Sequence, residues 1–87
     1  MTLKEIIETR LQAAFHPDTL RVIDESDQHH GHVAHGQGAR HFALEIYSSA
    51  FIGMSRVAIH RKIYALFPDL MPHPLHALRI VVLHSPL

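Results

Sequence analysis

The chain contains no cysteine and no tryptophan, and its 87 residues carry a formal charge of zero with the histidines neutral. Without cysteine there can be no disulfide, no thiolate metal site built from this chain alone and no cysteine nucleophile, a composition that suits a reducing cytoplasm. Zero net charge argues against a dedicated nucleic-acid binder, which needs net or local Lys and Arg to neutralise phosphate. The longest aliphatic run, Ile80 to Leu83, is far short of the ~20 residues that span a bilayer. Met1-Thr2-Leu3-Lys4-Glu5 lacks the apolar stretch of a signal peptide. These absences predict a cytoplasmic protein with no membrane contact.

What the chain does have is a 47% apolar content and ten histidines. The length predicts one domain over residues 1–87 with a modest core. Imidazole ordinarily titrates near 6.5, so positive charge should rise steeply as pH falls below 7.

Hydrophobic periodicity and capping residues divide the chain. Thr2 and Glu5 form a capping box, and Leu3, Ile6, Ile7, Leu11 and Ala14 recur at helical spacing, predicting a helix from Thr2 to Phe15 that stops near Pro17. Leu20 to Asp24 reads as a short strand. Ser26 to Arg40 is polar, rich in Gly and His and aperiodic, the pattern of a long loop, which in a small domain is usually functional or disordered. Phe42, Leu44 and Ile46 alternate with Ala43, Glu45 and Tyr47, a half-buried strand over His41 to Ser48. Ser55 caps a second helix that is expected to reach Phe67, with Val57, Ile59, Ile63, Tyr64, Leu66 and Phe67 on its buried arc. Asp69 to Leu75 is a proline-bearing linker, and His76 to His84 is a last strand whose continuous apolar run suits parallel pairing. The result is an α/β (α+β) fold of order αββαβ: an antiparallel strand pair, a right-handed crossover through the second helix, and a three-stranded mixed sheet. The uncovered sheet face would carry Arg21, Ile23, Ala43, Glu45, Tyr47, Arg79, Val81 and Leu83. This is either ordinary exposed apolar surface or a homodimer contact.

Histidine dominates the candidate chemistry. His29, His30, His32 and His35 lie on the predicted loop and His41 opens the next strand. Imidazole is the commonest biological metal ligand, although a run of histidines is also compatible with a merely solvated loop. His60, inside the apolar arc, reads first as a half-buried ring hydrogen-bonded to backbone. His76 begins a strand, so backbone fixes its position. One such histidine and one from the loop make a two-ligand half-site, to be completed by another molecule because a closed structural site wants four ligands. Asp24, Glu25, Ser26 and Asp27 carry no nucleophile elbow, and there is no phosphate loop or dinucleotide fingerprint, so the chain reads as a binding protein rather than an enzyme. Arg40, Arg56, Arg61 and Lys62 could form a small basic patch for a partner or nucleic acid, but most such clusters are solvated faces.

Taken in order, Asp24-Glu25-Ser26 with His29, His41-Phe42, Ser48-x-x-Phe51-x-Gly53, His60-Arg61-x-Ile63-Tyr64 and His76-Ala77-Leu78 resemble the BolA family over essentially the whole chain. The resemblance implies a fold like class II K-homology domains. It implies partnership with a monothiol glutaredoxin, the pair holding a [2Fe-2S] cluster for iron–sulfur trafficking or iron and redox sensing. The glutaredoxin and a bound glutathione would supply thiolates and this chain histidine: His76, and His29 on the loop with His30, His32, His35 and His41 as alternates. Histidine on one iron has precedent in Rieske centres. The family's other described role, DNA-binding transcriptional regulation, implies the second-helix patch. Here Ile59 stands where the family usually has Arg, Pro72 and Pro74 crowd the approach to His76, and the Gly-x-x-Gly clamp of K-homology domains is absent, with only Gly53 near that turn.

Overall fold

The computed structural model describes residues 1–26 and 40–86. The expected loop is therefore outside the described residues between positions 27 and 39, and with it His29, His30, His32 and His35. Three strands and two principal helices follow the expected order: α1 (Leu3–Phe15), β1 (Thr19–Asp24), β2 (Arg40–Tyr47), α2 (Arg56–Tyr64) and β3 (Leu75–Val82), with a short 3-10 turn at Ser49–Phe51. β1 and β2 are antiparallel from Thr19↔Tyr47 to Asp24↔Phe42. β2 and β3 are parallel, giving the mixed sheet β1-β2-β3.

α1 starts where its capping box dictates. The Glu5 amide donates to Thr2 Oγ1 at 3.1 Å, and the Thr2 amide donates to the Glu5 carboxylate at 2.9 Å. That backbone donor holds the Glu5 carboxyl below the usual carboxylate range. The helix closes on His16 in the left-handed region (φ 43°), whose N–H reaches the Gln12 carbonyl. Ile7, Leu11 and Phe15 form its buried stripe. They join Val22 of β1, Phe42, Leu44 and Ile46 of β2, Ile59 and Ile63 of α2, and Leu75 and Leu78 of β3 in one cluster. Each fully buried aliphatic side chain in it contributes about 1.5–3 kcal/mol.

α2 departs from expectation. It ends at Tyr64, capped by Ala65, and Leu66 and Phe67 continue as turns whose amides bond the Ile63 and Tyr64 carbonyls. Phe67 is still wholly buried, so the apolar pattern outlasts the helix. Val57 and Tyr64 leave the arc: they are 59% and 40% exposed. At 100° per residue Val57 lies about 160° from Ile59, on the solvent side. Tyr64 instead sends its hydroxyl to the Leu78 carbonyl at 2.7 Å, tying α2 to β3. Arg10 clamps α1 to the turn after α2. Its guanidinium donates to both Asp69 carboxylate oxygens (2.8 and 2.9 Å) and to the Leu66 carbonyl (2.8 Å), over the Phe67 ring.

Ala43 also differs from its expected exposure. It is on the uncovered sheet face but only 1% exposed, because the longer side chains of Ile23 and Arg79 flank it in the ladder. On that face Arg21 pairs with Glu45 and Arg79 with Glu25.

Candidate functional site

The start of β2 is held from both sides by the end of β1. The Ser26 hydroxyl accepts from the His41 amide (3.1 Å) and from Arg40 Nε (3.2 Å), while the Glu25 amide donates to the His41 carbonyl (2.7 Å). Ser26 is itself fixed by its own amide, which donates to Asp24 Oδ1 at 2.9 Å, and Arg40 pairs with Asp24 Oδ2. Burial pushes the Asp24 carboxyl up, but the bonds from Ser26 and Arg40 outweigh it and hold it below its ordinary value. Asp24-Glu25-Ser26 thus acts through its hydrogen bonds, fixing the backbone on both sides of His41. Sequence reading singled out these residues and gave them no role. The signal available was a short polar side chain two residues after Asp24, the pattern of a local side-chain turn.

β3 approaches the same point with one residue too many. Arg40 stands opposite Leu75, but His41 stands opposite Ala77, so His76 has no partner in the ladder. An extra residue in a sheet bends the strand locally and re-aims a side chain. His76 is exposed and His41 half-buried, and their rings lie 5.2 Å apart between centres, tilted by 60°. The Arg40 amide donates to the Pro74 carbonyl at 3.0 Å, so the Pro72–Pro74 turn is tied to the start of β2, two residues before His76. β3 starts at Leu75 rather than His76, and Leu75 is fully buried, which anchors the strand just before the exposed ring.

The structure thus unites His41 and His76, two residues the sequence offered separately. Arg40 is engaged by Asp24 and Ser26 rather than free to extend a patch on α2. Arg56, Arg61 and Lys62 are exposed on α2, with no ion-pair partner among the described residues. Arg56 and His60 line a cleft of ≈ 240 Å³ with Ile80, Val81 and Val82. His60 does not make the backbone bond expected of it: its Nε2 is buried and has no hydrogen-bond partner among the described residues.

The family model for BolA-like proteins matches residues 11–85. The chain belongs to the BolA family. Relatives of this BolA chain include a Sinorhizobium protein from the cobS 5' region, 50% identical over 92% of this chain and 88% of that protein. The DNA-binding transcriptional regulator BolA of Vibrio cholerae is 36% identical over 90% of this chain and 71% of that one. Among solved structures, the BolA domain of SufE1 from Arabidopsis thaliana superposes with a TM-score of 0.80 at 40% identity, covering 94% of this chain and 91% of that one. The K-homology-like expectation of a mixed three-stranded sheet under two helices is therefore the BolA fold. Among the described residues no helix is long and apolar enough to cross a membrane.

Proposed function

We propose that this BolA-like chain acts in the cytoplasm as the histidine-supplying partner of a monothiol glutaredoxin, the two proteins sharing a [2Fe-2S] cluster. The observation that carries the reading is the exposed His76, set out of register beside His41. The donor set fits: a cysteine-free chain offers imidazole, and the glutaredoxin with bound glutathione would offer thiolate. The cluster, when bound, would supply the electron storage and lability that trafficking or redox sensing requires. The chain's own part is to hold His76 on an anchored strand, with His41 adjacent and His29, His30, His32 and His35 in the preceding segment as further donors.

The test is the visible absorption and circular dichroism of this protein co-expressed with a glutaredoxin bearing a Cys-Gly-Phe-Ser site. His76→Ala should abolish the heterodimer spectrum without unfolding the chain, and His29→Ala should weaken or shift it. Removing His29, His30 and His32 together should do far more. A wild-type spectrum from His76→Ala would show the reading to be wrong.

The second reading, DNA-binding regulation, is supported by the exposed Arg56, Arg61 and Lys62 on α2 and by the name of the V. cholerae relative. Three cations predict weak binding whose log K falls against log salt with a slope of about −2.7. Nanomolar, sequence-selective binding at physiological salt would place this reading first.

A further inference from the structure

We propose that the open edge of β3 at Ile80 and Val82 accepts an extended segment of a partner protein as a fourth strand, with an acidic side chain of that segment against Arg56. The inference stands apart from the shared-cluster reading: Val82 ends β3, about 20 Å along the strand from His76.

β3 is an outer strand, bonded to β2 on one side only. In a strand the N–H and C=O of one residue point to the same edge, and those of the next residue to the opposite edge. Leu83 donates its amide to the Ile46 carbonyl of β2, so the odd-numbered residues of this stretch face inward. The Leu78 carbonyl faces outward, where it accepts the Tyr64 hydroxyl at 2.7 Å. Ile80 and Val82 share its parity. Their amides and carbonyls therefore point away from β2, and no helix, turn or side chain among the described residues bonds them. A row of such groups is a template for a further strand.

α2 leaves room there. Arg56, His60 and Tyr64 form one stripe at four-residue spacing, and it runs along β3 in the opposite sense. Tyr64 closes the edge at Leu78. Beyond it, His60 and Arg56 line a cleft of ≈ 240 Å³ with Ile80, Val81 and Val82. Two further clefts, of ≈ 210 and ≈ 200 Å³, continue it past Ile59 and His84, and Val82 borders all three. Leu78 is buried but Ile80 and Val82 are only half-buried, so apolar surface lies beside the unpaired backbone.

Charge selects the occupant. Among the described residues no Asp or Glu borders these clefts, whereas Arg56, His60 and His84 do, and Arg56 has no ion-pair partner there. A second copy paired antiparallel through the same edge would set both α2 helices on one face of the joined sheet. Each Arg56 would then meet a surface that offers it no carboxylate. An extended segment bearing Asp or Glu meets Arg56 with opposite charge, and its apolar residues at alternate positions reach the clefts.

The probe is a capped peptide of alternating valine and glutamate with serine ends, titrated to millimolar concentration into the 15N-labelled full chain. The Ile80 and Val82 amides should shift and gain protection from hydrogen exchange, with the β1 edge unmoved. Versions of the peptide N-methylated on the valines or on the glutamates should differ, one losing binding, because a single set of its amides faces β3. This arm leaves the protein unaltered. Val82→Pro deletes an amide that no ladder bond uses, so it should keep the sheet and lose the peptide. Arg56→Gln should weaken the glutamate peptide about two- to fivefold and leave its glutamine version unchanged. The proposal fails if Ile80 and Val82 do not move, or if both methylated peptides bind undiminished. It fails equally if protection rises with protein concentration and no peptide, the mark of a second copy. Shifts produced by a short oligothymidylate and not by the peptide would assign the edge to nucleic acid and overturn it.

Discussion

Replacing Ser48 by alanine removes one oxygen from the junction of three elements. Ser48 is 2% exposed and is the buried polar residue among those described. Its hydroxyl donates to the Phe15 carbonyl at 2.6 Å, at the C-terminus of α1, and accepts from the Ala50 amide at 3.1 Å, capping the 3-10 turn. Ser48→Ala leaves a buried carbonyl without its donor, at about 1–3 kcal/mol. The lost cap adds about 0.5 kcal/mol, the low end for a cap because the turn is short. A total of about 1.5–3.5 kcal/mol in a domain of this size corresponds to a fall in Tm of roughly 6–28 °C. Thermal melting followed by far-ultraviolet circular dichroism reads this, and urea titration should give a lower midpoint at an unchanged slope. Ser49→Ala, one residue on and exposed, is the control and should stay within about 0.5 kcal/mol of wild type. If Ser48→Ala melts within a degree or two of wild type, the hydroxyl does not hold α1 to β2 and the reasoning is wrong.

Other variants probe the site more directly. His60→Met, which keeps most of the volume and removes the unpartnered Nε2, should melt at or above wild type, whereas His60→Ala opens a void and should melt below it; the reverse order would mean that the ring nitrogen has a partner. The Asp24 carboxyl is lowered in the folded chain, so its contribution is present above the ordinary carboxylate pKa and is lost as pH falls through the folded value. Asp24→Asn should therefore lower Tm at neutral pH and flatten the acid limb of the Tm–pH curve; a parallel downward shift at every pH would contradict the ionic role. Among the described residues the core cluster is built of apolar side chains from the helices, the sheet and the turns beside them, so chelation with EDTA should leave the cooperative melt of the purified chain unchanged, and its loss would reveal a structural metal.

Local rules made most of the fold legible. The Thr2–Glu5 box marked the start of α1 to within a residue, because both halves of that interaction lie within four residues. Alternation gave β2, since Phe42, Leu44 and Ile46 face a single core. The end of α2 was not legible for a specific reason: Leu66 and Phe67 are apolar because the turn packs them inside, and a buried turn gives the same pattern as a last helical turn. Ala43 was misjudged because alternation assigns a face, while exposure depends on the neighbours, Ile23 and Arg79. For the site, His41 and His76 were each visible as candidates but their pairing was not. It depends on a register offset between strands more than thirty residues apart, and neither residue's immediate neighbours encode it.

The offset at His76 has an evolutionary consequence. A ladder without that residue could run in unbroken register from Arg40–Leu75 onward, with the same core and the same strand order. Chain length at that position, together with histidine at both, then decides whether the two rings meet. A single-codon deletion there would remove the His76 ring from beside His41 without touching the core residues, and a single-codon insertion of histidine could set such a ring beside His41 on a sheet that never had it. Gain and loss of the ring pair within a lineage should therefore be read from indels between Pro74 and Ala77 as well as from substitutions at the two histidines.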